Sequence, residues 1–161
     1  MPLIKIQNIF SNDMIKIGYP ATQPRIRTNG GKDFIFDEIR RQWCLLTPEE
    51  WVRQNFLNYL TKVKGYPSTL VAVEKEIKLN ELVKRFDILV YNQQMVPWLM
   101  VECKEMSEVL NEKVLNQALR YNLSLKVEYI IITNGTYCYG FMLKDGSFVE
   151  IDSLPDYPRV G

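Results

Sequence analysis

The sequence contains no histidine. That absence excludes Ser-His-Asp and Cys-His nucleophilic mechanisms, histidine-ligated zinc and histidine general bases. Cysteine is scarce: Cys44, Cys103 and Cys138 are isolated, odd in number and without metal-ligand spacing. They read as three reduced, mostly buried thiols rather than a disulfide framework. Charge excess is missing too, the formal net charge being +1. A surface that grips phosphates therefore has to be local. An enzyme whose metal supplies positive charge at the phosphate tolerates this better than a static binder does. Long apolar runs are absent, and MPLIKIQNIFSND carries no signal-peptide pattern. The expectation is a cytoplasmic protein without a membrane partner.

What is present describes an ordinary globular chain. Its 161 residues, 47% hydrophobic and 12% aromatic, suffice for one domain with a real core. LIKI and MIKI, within residues 3–19, predict an N-terminal hairpin or two edge strands, and 20–33 read as a loop. Residues 34–39 read as a strand. Thr47 as N-cap, Pro48 in the first turn and Glu50 in a capping box predict a helix, with Val52, Phe56, Tyr59, Leu60 and Val63 on its apolar face. Gly65-Tyr66-Pro67 ends it. Strands are predicted over 70–79, 86–91 and 98–104, the last two as a hairpin. A helix follows over about 111–125, then a strand at 129–133. A hairpin over 137–143 and 147–151 turns at Asp145-Gly146. The tail SLPDYPRVG reads as frayed. A helix between two strands implies a parallel crossover, and the whole a mixed α/β sheet with helices on both faces.

One constellation carries chemistry. With the hairpin turn near 93–96, Asp87 falls opposite Glu102, and Lys104, two residues on, shares that face. Paired carboxylates repel unless a cation joins them, and Mg²⁺ prefers such hard oxygen ligands. A bound Mg²⁺ activates water and polarises a phosphoryl oxygen, while a compact ammonium offsets developing charge. A cross-strand salt bridge at an exposed strand end is the competing reading. Against it, both acids interrupt the apolar runs FDILV and PWLMVECKE, where Asp and Glu are disfavoured.

RFDILVYN followed by PWLMVECKE resembles the D-x(n)-E-x-K signature of the PD-(D/E)xK nuclease superfamily. Gln117-Ala-Leu-Arg-Tyr121 resembles the Q-x3-Y helix motif of its exonuclease-like branches. TPEEWVRQNF and YIIITNG are similar to the N-terminal nuclease domain of type I restriction enzyme R subunits and small stand-alone relatives. The resemblance spans roughly residues 40–141. It implies a restriction-endonuclease-like mixed sheet flanked by helices, with extra N-terminal strands. The expected division is 1–40 as N-terminal extension, 41–152 as nuclease-like domain and 153–161 as tail. It implies Asp87 and Glu102 as metal ligands, aided by the Cys103 carbonyl, and Lys104 as the catalytic lysine. Mg²⁺ is the implied cofactor, with Mn²⁺ able to substitute.

Glu50 either reaches the metal site, as a first-helix Glu often does in the family, or simply caps its helix. Gln117 and Tyr121 support the site, touch DNA or are plain helix surface. Lys84 and Arg85 contact phosphates or form a solvated pair. Arg40, Arg41, Lys62 and Lys64 read as surface charge. Phe86 stands where the superfamily name has Pro, a position without chemistry. There is no G-x4-G-K-[ST] phosphate loop, so the chain has no motor of its own. The implied activity is Mg²⁺-dependent hydrolysis of DNA phosphodiesters in restriction or repair. The implied partners are DNA, a separate motor or specificity subunit, and a homodimer through residues 1–40. The alternative is a non-catalytic nucleic-acid-binding or subunit-docking module on the same fold.

Overall fold

A computed structural model describes residues 14–160. The chain begins its regular structure with a three-stranded antiparallel meander: β1 (Ile26–Asn29), β2 (Lys32–Asp37) and β3 (Gln42–Leu45). Gly30 and Gly31 close the first turn at φ +59 and +74, conformations that suit glycine, and leave Asn29 paired with Lys32. This hairpin replaces the loop expected over 20–33, because Asn-Gly-Gly is a turn signal inside a polar stretch. The meander also runs across the expected boundary at 40/41. Of the expected N-terminal hairpin, LIKI lies outside the described residues. MIKI forms no strand, although Ile15 is buried and its N–H donates to the Cys138 carbonyl at 2.9 Å.

Helix α1 (Pro48–Asn58) starts where the cap predicts, with the Glu50 N–H donating to Thr47 Oγ1. It loosens into a wider turn over Tyr59–Val63 before Gly65. The main sheet is six-stranded and mixed, ordered β4-β5-β6-β7-β8-β9, with β4 Val71–Leu79, β5 Leu82–Tyr91, β6 Pro97–Cys103, β7 Tyr129–Thr133, β8 Cys138–Lys144 and β9 Ser147–Ile151. β6 and β7 are its parallel pair, linked by α2 (Glu112–Asn122), which Asn111 caps through the Val114 N–H. The pure apolar strands are explained by cover on both faces. Val52, Phe56 and Leu57 of α1 pack with Ile88, Val90, Leu99, Val101 and Ile131 on one side. Leu115, Ala118 and Leu119 of α2 pack with Leu89, Met100, Ile130 and Ile132 on the other. The architecture is a mixed α/β sheet consistent with a restriction-endonuclease-like fold.

The tail is not frayed. Tyr157 is buried against Tyr66 and Trp98, its hydroxyl donating to the Tyr91 carbonyl at 2.8 Å. Leu154 is buried with them, and Lys64 donates to its carbonyl at 3.2 Å. The segment has no periodicity to announce itself; spaced single side chains plug a gap beside the sheet.

Candidate active site

The centre of the site follows from strand register. Ile88 pairs with Val101 and Leu89 with Met100, so one further step brings Asp87 opposite Glu102, just past the paired run. On the other flank β5 pairs Ile88 with Val73 and Phe86 with Lys75, skipping Glu74, whose φ is +50. The sheet is thus interrupted around Asp87. Alternation breaks there too: Phe86 joins the α2-side core, as Leu89 does, while Ile88 joins the α1 side.

That interruption decides how the two carboxylates are held. Asp87 is gripped from the α1 side and from the strand end: Arg53 Nη2 donates to Oδ1 at 3.0 Å and the Cys103 N–H to Oδ2 at 2.8 Å. Glu102 lies between Val101 and Cys103, both in the α1-side core, so it leans towards α2. There Asn122 Nδ2 donates to its Oε2 at 3.1 Å. Strict alternation puts both acids on one face; in the fold they are held from different sides. Both nonetheless line one polar cavity of about 310 Å³, together with Glu49, Arg85, Lys104, Tyr121 and Asn122.

Lys104 Nζ stands 3.3 Å from Glu102 Oε1. Partial burial pulls its pKa down, but the charge and hydrogen bond of Glu102, with Glu108 and Asp87, outweigh that and raise it. It is therefore cationic at neutral pH. Glu49 is pushed the other way for an acid: burial first, then the charge of Asp87, raises its pKa, against Arg53 and Lys104.

Glu50 corrects the sequence expectation that it reaches the metal site. Its side chain accepts from Arg53, from Arg40 Nη2 at 3.1 Å and from Gln54 Nε2 at 2.9 Å, and it does not line the cavity. One residue earlier on α1, Glu49 faces the cavity instead. Arg40 is not surface charge: it also pairs with buried Asp37 at 2.6 Å and with Glu74 at 3.2 Å. Asp37, Cys44 and Glu50 approach one another closely enough to suggest a metal cluster. The Arg40 guanidinium and the Gln54 amide already fill their midst, so the cluster is an ion-pair network.

Gln117 and Tyr121 line a second depression with Glu102 and Lys104, next to the cavity. Lys84 donates to the Tyr121 carbonyl and to Ser124 Oγ at 3.0 Å, its ammonium 4.2 Å from the Tyr121 ring centroid. Arg85 is exposed, lines the cavity and pairs with Glu76 at 2.9 Å. Arg53, Glu49 and Asn122 are the residues sequence reasoning missed. A signal existed for the first two: they sit four apart on α1, where side chains share a face. Asn122 had none beyond following Tyr121.

Residues 48–155, more than half of the chain, match the family described as type I restriction enzyme R protein N terminus. The chain belongs to that family. No curated protein matches it. As the N-terminal region of restriction enzyme R proteins, the family suggests a restriction-related nuclease role and places the chain as part of a restriction enzyme. The match begins at α1 and leaves the β1–β3 meander outside it. Among the described residues, no helix is long and apolar enough to cross a membrane.

Proposed function

We propose that this R-protein N-terminal domain is a Mg²⁺-dependent DNA nuclease of the PD-(D/E)xK type. The observation that carries the reading is the convergence of Asp87, Glu102, Glu49 and Lys104 on one polar cavity where the sheet is interrupted. The donor set fits a hard divalent cation, being carboxylate oxygens, while the Cys103 and Met100 side chains belong to the two core clusters. The fit holds even though Asp87 is already hydrogen-bonded, because a carboxylate accepts at about four lone-pair sites. Asp87 and Glu102 would hold Mg²⁺, with Glu49 at the edge. Bound there, Mg²⁺ would acidify a water and polarise the scissile phosphate.

The chain's own groups do the rest. Asn122 and Lys104 bond opposite oxygens of Glu102, which fixes its orientation. Arg53 and the Cys103 N–H fix Asp87. The Lys104 ammonium lies beside the carboxylates without ligating a cation. It orients the attacking water and offsets charge that accumulates on the phosphate. Gln117 and Tyr121 border the same region and contact the DNA backbone. The partners are DNA and the other subunits of a restriction enzyme, and the location is the cytoplasm.

One observation favours the second reading, a docking module without catalysis. Arg53 compensates Asp87 without any cation. Incubation of the protein with plasmid, linear duplex and single-stranded DNA, with Mg²⁺ or Mn²⁺ and any partner subunits, separates the two. Metal-dependent cleavage supports the nuclease; none under any of these conditions leaves the docking module.

A further inference from the structure

The β1–β3 meander has two unlike faces. Residues paired across an antiparallel ladder share a face. Ile26, Ile35 and Cys44 form one such row, and Ile35 is fully buried. Asp37 points the same way and is held by Gln54 of α1. Among the described residues, the opposite face is open to solvent. Arg27 and Phe34 pair in one row and Phe36 and Trp43 in another, with Arg25 beside Phe36 and Lys32 near the turn. All six are exposed or half-exposed. The two strand acids, Asp33 and Asp37, fall on the other face by the same pairing.

The open face interleaves rings with guanidinium groups. Arg25 lies 4.0 Å from the centroid of Phe36, and Arg27 lies 4.3 Å from that of Trp43. Phe36 and Trp43 meet edge to face at 5.2 Å. Glu38, beyond the strand, approaches Arg25 at 3.7 Å. The groove beneath β1 is shared by Ile26, Trp51 and Glu105–Ser107, which follow Lys104 directly.

We propose that this face is a binding platform for single-stranded nucleic acid, with bases stacked on Phe36 and Trp43 and phosphates met by Arg25, Arg27 and Lys32. Three cations against the single carboxylate of Glu38 leave the face net positive, which complements a polyanion. A second copy seated on it would set arginine against arginine. Half-exposed rings add affinity where a base offers its own face, which an unpaired strand does and a duplex does not. The proposal goes beyond the nuclease reading, because binding here requires neither metal nor cleavage.

The test is fluorescence anisotropy with the full chain in chelator. The probes are a labelled oligothymidylate of about 16 nucleotides, matching the upper end of common single-strand site sizes, and a duplex of equal length. The expected result is tighter binding of the single strand, with quenching of tryptophan emission. Trp43→Leu should weaken it about tenfold, and Arg27→Gln should lower the slope of log affinity against log salt by about 0.7. Lys144→Gln, exposed at the end of β8 and outside both this face and the cavity, should bind as the parent does, and the chelator keeps metal-dependent cleavage out of the measurement. If Trp43→Leu fails to melt cooperatively, Arg25→Gln and Arg27→Gln carry the test, since both side chains are exposed. Equal affinity for duplex and single strand, or parental binding by the arginine variants, overturns the proposal. A dimer that Trp43→Leu dissociates, with strand binding unchanged, assigns the face to a second copy and overturns it too.

Discussion

Arg53 reaches across from α1 to Asp87, its Nη2 3.0 Å from Oδ1, while its other contacts go to Glu49, Glu50 and Glu74. The residue is 3% exposed. Burial disfavours its charge, yet Glu50 and Asp87 outweigh that and raise its pKa. One guanidinium thus binds the middle of β5, the break in β4 and the start of α1.

Arg53→Met should therefore destabilise the fold by about 1–3 kcal/mol, because it removes the ion-pair partner of half-buried Asp87 and one of the two arginines on buried Glu50. Urea unfolding measures this. Arg53→Lys should recover only part of the loss, since an ammonium lacks the planar fork that spans several acids. A loss below about 1 kcal/mol for Arg53→Met would show that the network carries no more than exposed pairs do.

Glu49 links the site to pH. Its folded pKa lies above the unfolded value of 4.5, so the fold binds its proton more tightly than the unfolded chain does. Its favourable contribution is complete below that unfolded value and is lost as pH rises through the folded one. Without metal, Glu49→Gln should then leave stability at neutral pH unchanged or slightly higher. A cation in the cavity reverses the preference. Mn²⁺ added at about pH 5 in weak buffer should release protons, because binding favours the ionised carboxylate. Glu49→Gln should release fewer. Equal release by the two proteins would place Glu49 away from the cation.

The tail offers a stability test. Tyr157→Ala removes a buried ring from the Tyr66–Trp98 cluster and should cost about 3–5 kcal/mol. Denaturant midpoints measure it. A neutral effect would restore the reading of this segment as frayed.

The sheet and the register were legible because their signals are local and periodic. The sum of facing positions that pairs Ile88 with Val101 also brings Asp87 to Glu102, and the Asp145-Gly146 turn fixed the final hairpin. Thr47 and Pro48 announced α1. What escaped depends on tertiary contact. Alternation cannot foresee the break at Glu74 that turns Asp87 towards Arg53. The resemblance named Glu50 as the first-helix acid, but Arg40 and Gln54 draw that side chain into the ion-pair network and leave Glu49 at the cavity. Arg40 sits in a charged turn that looks like any surface turn until Asp37 is seen buried beneath it.

The central claim is that Asp87 and Glu102 hold the cation while Lys104 acts on the reaction. Its most direct test compares Lys104→Ala with Glu102→Gln in Mn²⁺ titration and in DNA cleavage, with any required partner present. Lys104→Ala should lose about 10²–10³ in turnover, as for removal of one preorganised electrostatic group, while keeping or improving Mn²⁺ affinity. Glu102→Gln should lose both binding and cleavage. Parental cleavage by Lys104→Ala, or parental Mn²⁺ affinity in Glu102→Gln, would contradict the account.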